Sequence, residues 1–185
     1  MRKITLYIIL PTLIAGGLLS CSSSDSGTGR NDSQTAQGVS REPAKPQSVF
    51  SVYDVDGNSR DLKEEWIGHK AVVVNFWGTW CGPCRREIPG LIQLYAEYKK
   101  RGVEIVSLAL ERQAGPQQVK QFTEQAGMGW VQLMGNQNIA QAFQLTGSVP
   151  TTIFYDATGK EVARHVGARP YEVLKPDFEK IASGS

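Results

Sequence analysis

Seven consecutive residues, Ala71 to Trp77 (AVVVNFW), carry a single polar side chain, Asn75. β-Branched and aromatic residues dominate the run, which makes it a strand. Its apolar side chains fall on both parities, so both faces of the strand need cover. A sheet built around such a strand lies between layers, and its parallel neighbours are reached through crossover helices. The next segment supplies one. Ile88, Leu91, Ile92, Tyr95 and Tyr98 recur at helical spacing, and Gly102 ends the pattern. Val103 to Leu110 is then a second buried strand.

The rest of the chain reads as flanks of this βαβ unit. Val49 to Tyr53 is a strand, and Asp56-Gly57-Asn58 turns it into an N-terminal β-hairpin. Pro116 opens a helix with Val119, Phe122 and Ala126 on one face, and a short helix spans 138–145. Thr151 to Tyr155 and Glu161 to Val166 are strands around the turn Asp156-Ala157-Thr158-Gly159, and a last helix covers 171–182, interrupted or restarted at Pro176. The expected class is α/β: a central mixed β-sheet flanked by helices, with an N-terminal hairpin and a helical insertion between 111 and 147. The 185 residues are 41% apolar and 21% charged, ordinary for a globular protein. That excludes a wholly disordered chain and a polytopic membrane protein. A formal charge of +2 gives no electrostatic footprint for nucleic acid.

Between the central strand and its helix lies Trp80-Cys81-Gly82-Pro83-Cys84. At a helix N-terminus, free backbone N–H groups and the macrodipole stabilise an anion. A thiolate is the nucleophile of disulfide exchange, so this position raises the reactive fraction. Cys81 is expected to be the exposed attacking residue and Cys84 the buried resolving one. Pro83 fits the first helical turn, where a missing N–H matters little. Two other readings exist for the pair. A zinc site needs two more ligands, and only His69 and His165 remain, neither at zinc-type spacing. His69 reads as a solvated turn residue and His165 as a strand residue without chemistry. A structural disulfide closing so short a loop removes little chain entropy. Redox chemistry is the stronger reading.

Asn75-Phe76-Trp77-x-x-Trp80-Cys81-Gly82-Pro83-Cys84, Pro89 and Val149-Pro150-Thr151 together resemble the thioredoxin superfamily over about residues 48–183. Within it, the chain is similar to the TlpA/ResA-like anchored thiol–disulfide oxidoreductases. The likeness implies the thioredoxin fold for 48–185 and a redox-active Cys81–Cys84 disulfide as the working group, with no metal or other cofactor. It implies a cis bond at Pro150, leaving Val149 to pair main chain with an extended substrate. Trp80 is expected exposed beside the site and Trp77 packed. Asn75 departs from thioredoxin, which has a buried Asp there. Glu87 matches a glutamate in the ResA-like pattern Cys-x-x-Cys-x-x-Glu, one turn after Cys84, and burial would raise its pKa toward a useful range. Its plainer reading is a solvated glutamate on the first helical turns.

The Gly82-Pro83 dipeptide matches thioredoxin, a reductant, so the expected activity is reduction of protein disulfides. The resemblance implies a transmembrane electron donor and exported thiol clients, apocytochrome c among them. The alternatives are an oxidase or isomerase on the same fold and a copper-binding chaperone. A peroxidase would need an upstream cysteine in a Pro/Thr pattern, which is not seen.

The third cysteine belongs to the N-terminus. Met1-Arg2-Lys3 precedes an apolar stretch from Ile4 to Leu19, shorter than a comfortable span and broken by Pro11 and Gly16-Gly17. Leu18-Leu19-Ser20-Cys21 resembles a bacterial lipobox. Residues 1–20 are expected to be a lipoprotein signal peptide, Cys21 the lipidated residue, and 21–47 a flexible tether too polar to offset its ordering entropy. Loss of Arg2 and Lys3 leaves 18 basic and 18 acidic residues, hence no net charge. The expected location is the bacterial cell envelope, lipid-anchored on the periplasmic or extracytoplasmic face.

Overall fold

The computed structural model describes residues 50–66 and 69–184. The signal peptide, Cys21 and the tether expected from the sequence lie outside these residues. The chain runs through β1 (Ser51–Asp54), β2 (Ser59–Asp61), a 3₁₀ turn (Leu62–Trp66), β3 (Ala71–Trp77), α1 (Gly82–Tyr98), β4 (Val103–Ala109) and α2 (Pro116–Ala126). It continues through β5 (Val131–Met134), α3 (Gln137–Ala142), β6 (Thr151–Tyr155), β7 (Glu161–Val166) and α4 (Tyr171–Ser183).

The seven strands form one mixed sheet in the order β2-β1-β5-β4-β3-β6-β7. β4 pairs parallel with β3 and with β5. The remaining pairs, β1 with β2 and β5, β6 with β3 and β7, are antiparallel. Every residue of β3 is buried, as its two-sided apolar run requires. Ala71, Val73 and Trp77 enter a core with α1, α2 and α4 through Leu91, Leu94, Val119, Leu174 and Phe178. Val72, Val74 and Phe76 enter the opposite core with Leu62, Ile139, Phe143 and Ile153. Burying each large apolar side chain contributes about 1.5–3 kcal/mol, so this strand anchors both layers.

The segment expected to be a helical insertion also carries β5. Trp130 to Met134 lies between two loops, and its buried Gln132 breaks the apolar signal of so short a strand. β5 links the hairpin to the parallel part of the sheet: Val131 to Met134 pair with Val106 to Ala109, and Met134 pairs with Tyr53. At the far end of α1, a 3₁₀ turn (Lys99–Arg101) closes on Gly102 at φ +89°. Gly102 O accepts from Lys70 N at 2.8 Å and Ala71 N at 3.3 Å, tying the helix end to the start of β3. A Cβ at Gly102 would meet Lys70 Cγ at 2.9 Å, so both conformation and space call for glycine. Among the described residues no helix is long and apolar enough to cross a membrane.

Candidate active site

β3 ends at Trp77 and α1 begins at Gly82; Cys81 closes the turn between them and Cys84 lies in the first turn of the helix. Cys81 and Cys84 are joined by a disulfide, with Cα atoms 5.3 Å apart. Cys81 occupies the cap position of α1, and its Sγ accepts a hydrogen bond from Cys84 N at 3.1 Å. Sulfur thus takes one of the orphan donors that every helix start presents. Pro83 sits in the first turn as expected.

Both cysteines are buried, Cys81 at 3% exposure and Cys84 at 1%. The expected exposure of Cys81 is therefore not seen in the disulfide form. Its sulfur is bonded to Cys84, caps the helix and lies 3.5 Å from the Val149 carbonyl, and these neighbours cover it. The Val149–Pro150 peptide bond is cis, the isomer that the family resemblance implies.

Trp80 is 43% exposed, whereas Trp77 is 1% exposed and stacks at a tilt on Phe122, 5.4 Å between ring centres. Trp80 is nonetheless fixed. Its Nε1 donates to Leu110 O at 3.1 Å, and the Arg112 guanidinium lies 4.1 Å above its ring. Its ring folds so closely over Gly78 that a Cβ there would meet Nε1 at 2.6 Å. Glu111 completes the clamp, accepting from Thr79 N at 2.6 Å and from Thr79 Oγ1 at 3.0 Å. Arg85 donates through Nε and Nη2 to Thr79 O and stacks on Phe122. Thr79, Glu111 and Arg112 carry no sequence signal; only the fold brings the β4–α2 loop to the active-site turn.

Glu87 is buried at 3% exposure, which rules out the solvated reading. Its Oε1 accepts from Arg169 N at 3.0 Å. Its Oε2 accepts from Asn75 Nδ2 and Thr152 Oγ1, each at 3.4 Å. Burial pushes its carboxyl pKa up; these hydrogen bonds and the nearby His165 and Arg169 oppose that rise. Asn75 does not titrate but organises the site. Besides Glu87, its Nδ2 donates to Thr152 Oγ1 at 3.0 Å, and its Oδ1 accepts from Ser107 Oγ at 3.3 Å. Ser107 in turn accepts from Trp130 Nε1 at 2.7 Å. A continuous buried polar chain thus runs from Trp130, just before β5, through β4 and β3 to Glu87 on α1.

His165 lies opposite Thr152 in the β6–β7 register, with its Nε2 2.7 Å from Asp177 Oδ2. Its partner is α4, and its influence on Glu87 is an electrostatic one that its strand position alone did not reveal. Among the described residues no cluster of three or more His, Cys, Asp or Glu is gathered that could hold a metal ion.

The disulfide thus spans one helical turn beyond the end of the interior strand β3, with the carbonyl before a cis-proline beside it. The AhpC/TSA family profile matches residues 43–164. The chain belongs to the AhpC/TSA family. The chain is similar to thiol-disulfide oxidoreductase ResA of Bacillus anthracis, 37% identical over 133 residues, 71% of this chain and 74% of the relative. ResA of Halalkalibacterium halodurans is 33% identical over 133 residues, 71% of this chain and 73% of the relative. Among solved structures, a thiol:disulfide interchange protein of the thioredoxin family from Chlorobium tepidum TLS matches with a TM-score of 0.62 and 29% identity. That match covers 72% of this chain and 92% of the other. The family member described here has the thioredoxin fold and is a thiol–disulfide oxidoreductase.

Proposed function

We propose that this oxidoreductase works as a reductant of protein disulfides, exported and tethered to the membrane through a lipid on Cys21, with Cys81 and Cys84 as its only redox group. The observation that carries the reading is Cys81 Sγ at the N-terminal cap of α1, accepting the Cys84 N–H. A thiolate there keeps that hydrogen bond and gains the favourable end of the helix dipole. Support for the tether is the Leu18-Leu19-Ser20-Cys21 sequence, and for the reducing direction the Gly82-Pro83 dipeptide.

In the reducing direction, the Cys81 thiolate attacks one sulfur of a client disulfide. A Cys81–client bond forms, the client S–S bond breaks, and the departing client thiolate takes a proton from solvent. Cys84 then loses its proton and attacks Cys81 Sγ, releasing the second client thiolate. Glu87, one turn along α1, takes the Cys84 proton; its raised pKa suits a group that must hold it. Two electrons pass to the client, and the enzyme is left as the Cys81–Cys84 disulfide. Trp80, Val149 and Pro150 form the client-facing surface, with Val149 offering main-chain pairing. Re-reduction requires a dithiol donor that reaches across the membrane. Exported thiol proteins are the client class, apocytochrome c among them.

Trapping tests this directly. Cys84→Ser should accumulate mixed disulfides through Cys81, and Cys81→Ser should abolish insulin reduction; the reverse pattern would overturn the assignment. Acid-quenched growing cells should hold the pair mainly as thiols. A fully oxidised pool would make the enzyme an oxidase, and stoichiometric Cu(I) binding without insulin reduction would make it a chaperone.

A further inference from the structure

The described part of the chain contains seven arginines, and they divide sharply. Arg60, Arg101 and Arg164 each form an ion pair, with Asp54 and Glu65, with Glu179 and with Glu161. The other four, Arg85, Arg86, Arg112 and Arg169, are exposed, and none forms a salt bridge among the described residues. All four lie beside residues of the active-site turn or of the start of α1. Arg85 and Arg86 directly follow Cys84, Arg112 covers Trp80, and the Arg169 main chain holds Glu87.

Three of the four are held in place by groups that leave their charge intact. Arg85 donates to the Thr79 carbonyl, Arg112 stacks on an indole, and Arg169 donates to Ala168 O at 3.4 Å and Val166 O at 3.2 Å. Carbonyls and rings position a guanidinium without neutralising it. Two clefts flank the turn. One, of 590 Å³, is lined by Thr79, Trp80, Glu111, Arg112 and Gln118; the other, of 220 Å³, by Arg86, Glu87, Arg169 and Pro170. Each cleft has one carboxylate in its lining, and each is less exposed than the arginines beside it. Glu111 is half-buried and accepts from Thr79, and Glu87 is buried. The exposed charged side chains of both clefts are therefore arginines.

We infer that this enzyme selects extended client segments with acidic residues flanking the reacting cysteine, and that Arg112 and Arg169 are specificity-determining residues in the two clefts. The inference rests on the thiol–disulfide exchange reading above and adds a substrate class to it. Opposite charges across such an interface speed encounter and fix orientation, and like charges reject a wrong partner. An acidic segment beside the disulfide meets a guanidinium in the cleft that Trp80 lines and others in the cleft that Glu87 lines. A basic segment meets repulsion from both.

Three synthetic peptides test this. Each carries one intramolecular disulfide in the same backbone, flanked by Glu, by Ser or by Lys. Exchange with the reduced protein, and of the reduced peptides with the oxidised protein, is followed at low and high ionic strength. The Glu peptide should react about tenfold faster than the Lys peptide when the Debye length is about 30 Å, and the preference should collapse when it is about 3 Å. In Arg112→Gln/Arg169→Gln the Glu-to-Lys rate ratio at low salt should fall toward one. Equal rates for wild type at low salt, a preference for Lys, or a ratio unmoved by salt would overturn the inference. If the Ser peptide exchanges and charge makes no difference, only the inference fails. If no peptide exchanges in either direction, the oxidoreductase reading fails with it.

Discussion

Replacing Asn75 by aspartate would restore the buried acid that thioredoxin carries, but here it would place that acid against Glu87. Asn75 Nδ2 lies 3.4 Å from Glu87 Oε2. Two carboxylate charges at that distance repel by about 5 kcal/mol at an effective dielectric constant of about 20. Keeping one of them protonated costs about 1.4 kcal/mol for each pH unit above its ordinary pKa of about 4. Protonation is therefore the cheaper course up to about pH 7.5, and the pair shares one proton across the neutral range. Because the folded state holds a proton that the unfolded state has released, stability is complete at acid pH and is lost as pH rises. Wild-type Glu87, whose pKa is raised by burial, has the same sign, so the variant should lose about 2–4 kcal/mol more than wild type between about pH 5 and about pH 8. Urea denaturation of both proteins across that range measures it. Near pH 5 the two should be close, since aspartate keeps the acceptor for Ser107 Oγ and the contact with Thr152. Parallel stability curves would refute the reasoning, because they would mean that residue 75 and Glu87 do not share a proton.

Three further outcomes follow from geometry already described. Glu111→Ala removes two charge-assisted hydrogen bonds from Thr79 at a half-buried site, which should cost about 1–2 kcal/mol in urea and speed hydrogen exchange at the Thr79 amide. Glu111→Gln keeps an acceptor for Thr79 N and should cost less than about 1 kcal/mol; equal costs for the two variants would contradict the role given to those bonds. Phe76→Ala empties a fully buried position packed edge-on against Phe143, with ring centres 5.2 Å apart, and should destabilise by about 3–5 kcal/mol in urea denaturation. Tyrosine ionisation followed by ultraviolet absorbance should be staggered. Burial first, then Glu161, pushes Tyr155 up to about 12, and burial with the Glu104 carboxylate holds Tyr95 above the usual range. A single transition near about pH 10 would be the contrary result.

The parts of this fold that the sequence declares most clearly are those whose signal is local. Ala71–Trp77 announces itself because both of its faces are apolar, and β6 and β7 because a turn with Gly159 separates two runs of strand formers. β5 is quiet for the opposite reason. It is four residues long, its centre is polar, and what makes it a strand is the free edge of β4 on one side and β1 on the other. The site divides the same way. The Cys81/Cys84 turn and the Val149-Pro150 loop are visible as short motifs. The partners that hold them are not: Arg169 lies 82 positions from Glu87, and Glu111 lies 32 from Thr79. Residue spacing carries no trace of such contacts. The burial of Cys81 escaped for a related reason, since Val149, which lies against its sulfur, is 68 positions away.

The C-terminal helix bears on where this protein tolerates being cut or tagged. α4 grips α1 at both ends. Its lead-in, Arg169-Pro170, supplies the N–H on Glu87, while Glu179 receives Tyr98 Oη at 2.9 Å and pairs with Arg101 beyond the far end of α1. Leu174, Phe178 and Ile181 fill the space between. Loosening the exposed stretch at Arg169-Pro170 would disturb the main-chain donor of Glu87 without touching a strand pairing. With Glu87 acting as proposed, disulfide exchange should then slow before the fold is lost. A fusion joined after Ser183 hangs from this same clamp, so the last helix and its lead-in help to hold Glu87 although no cysteine lies on them.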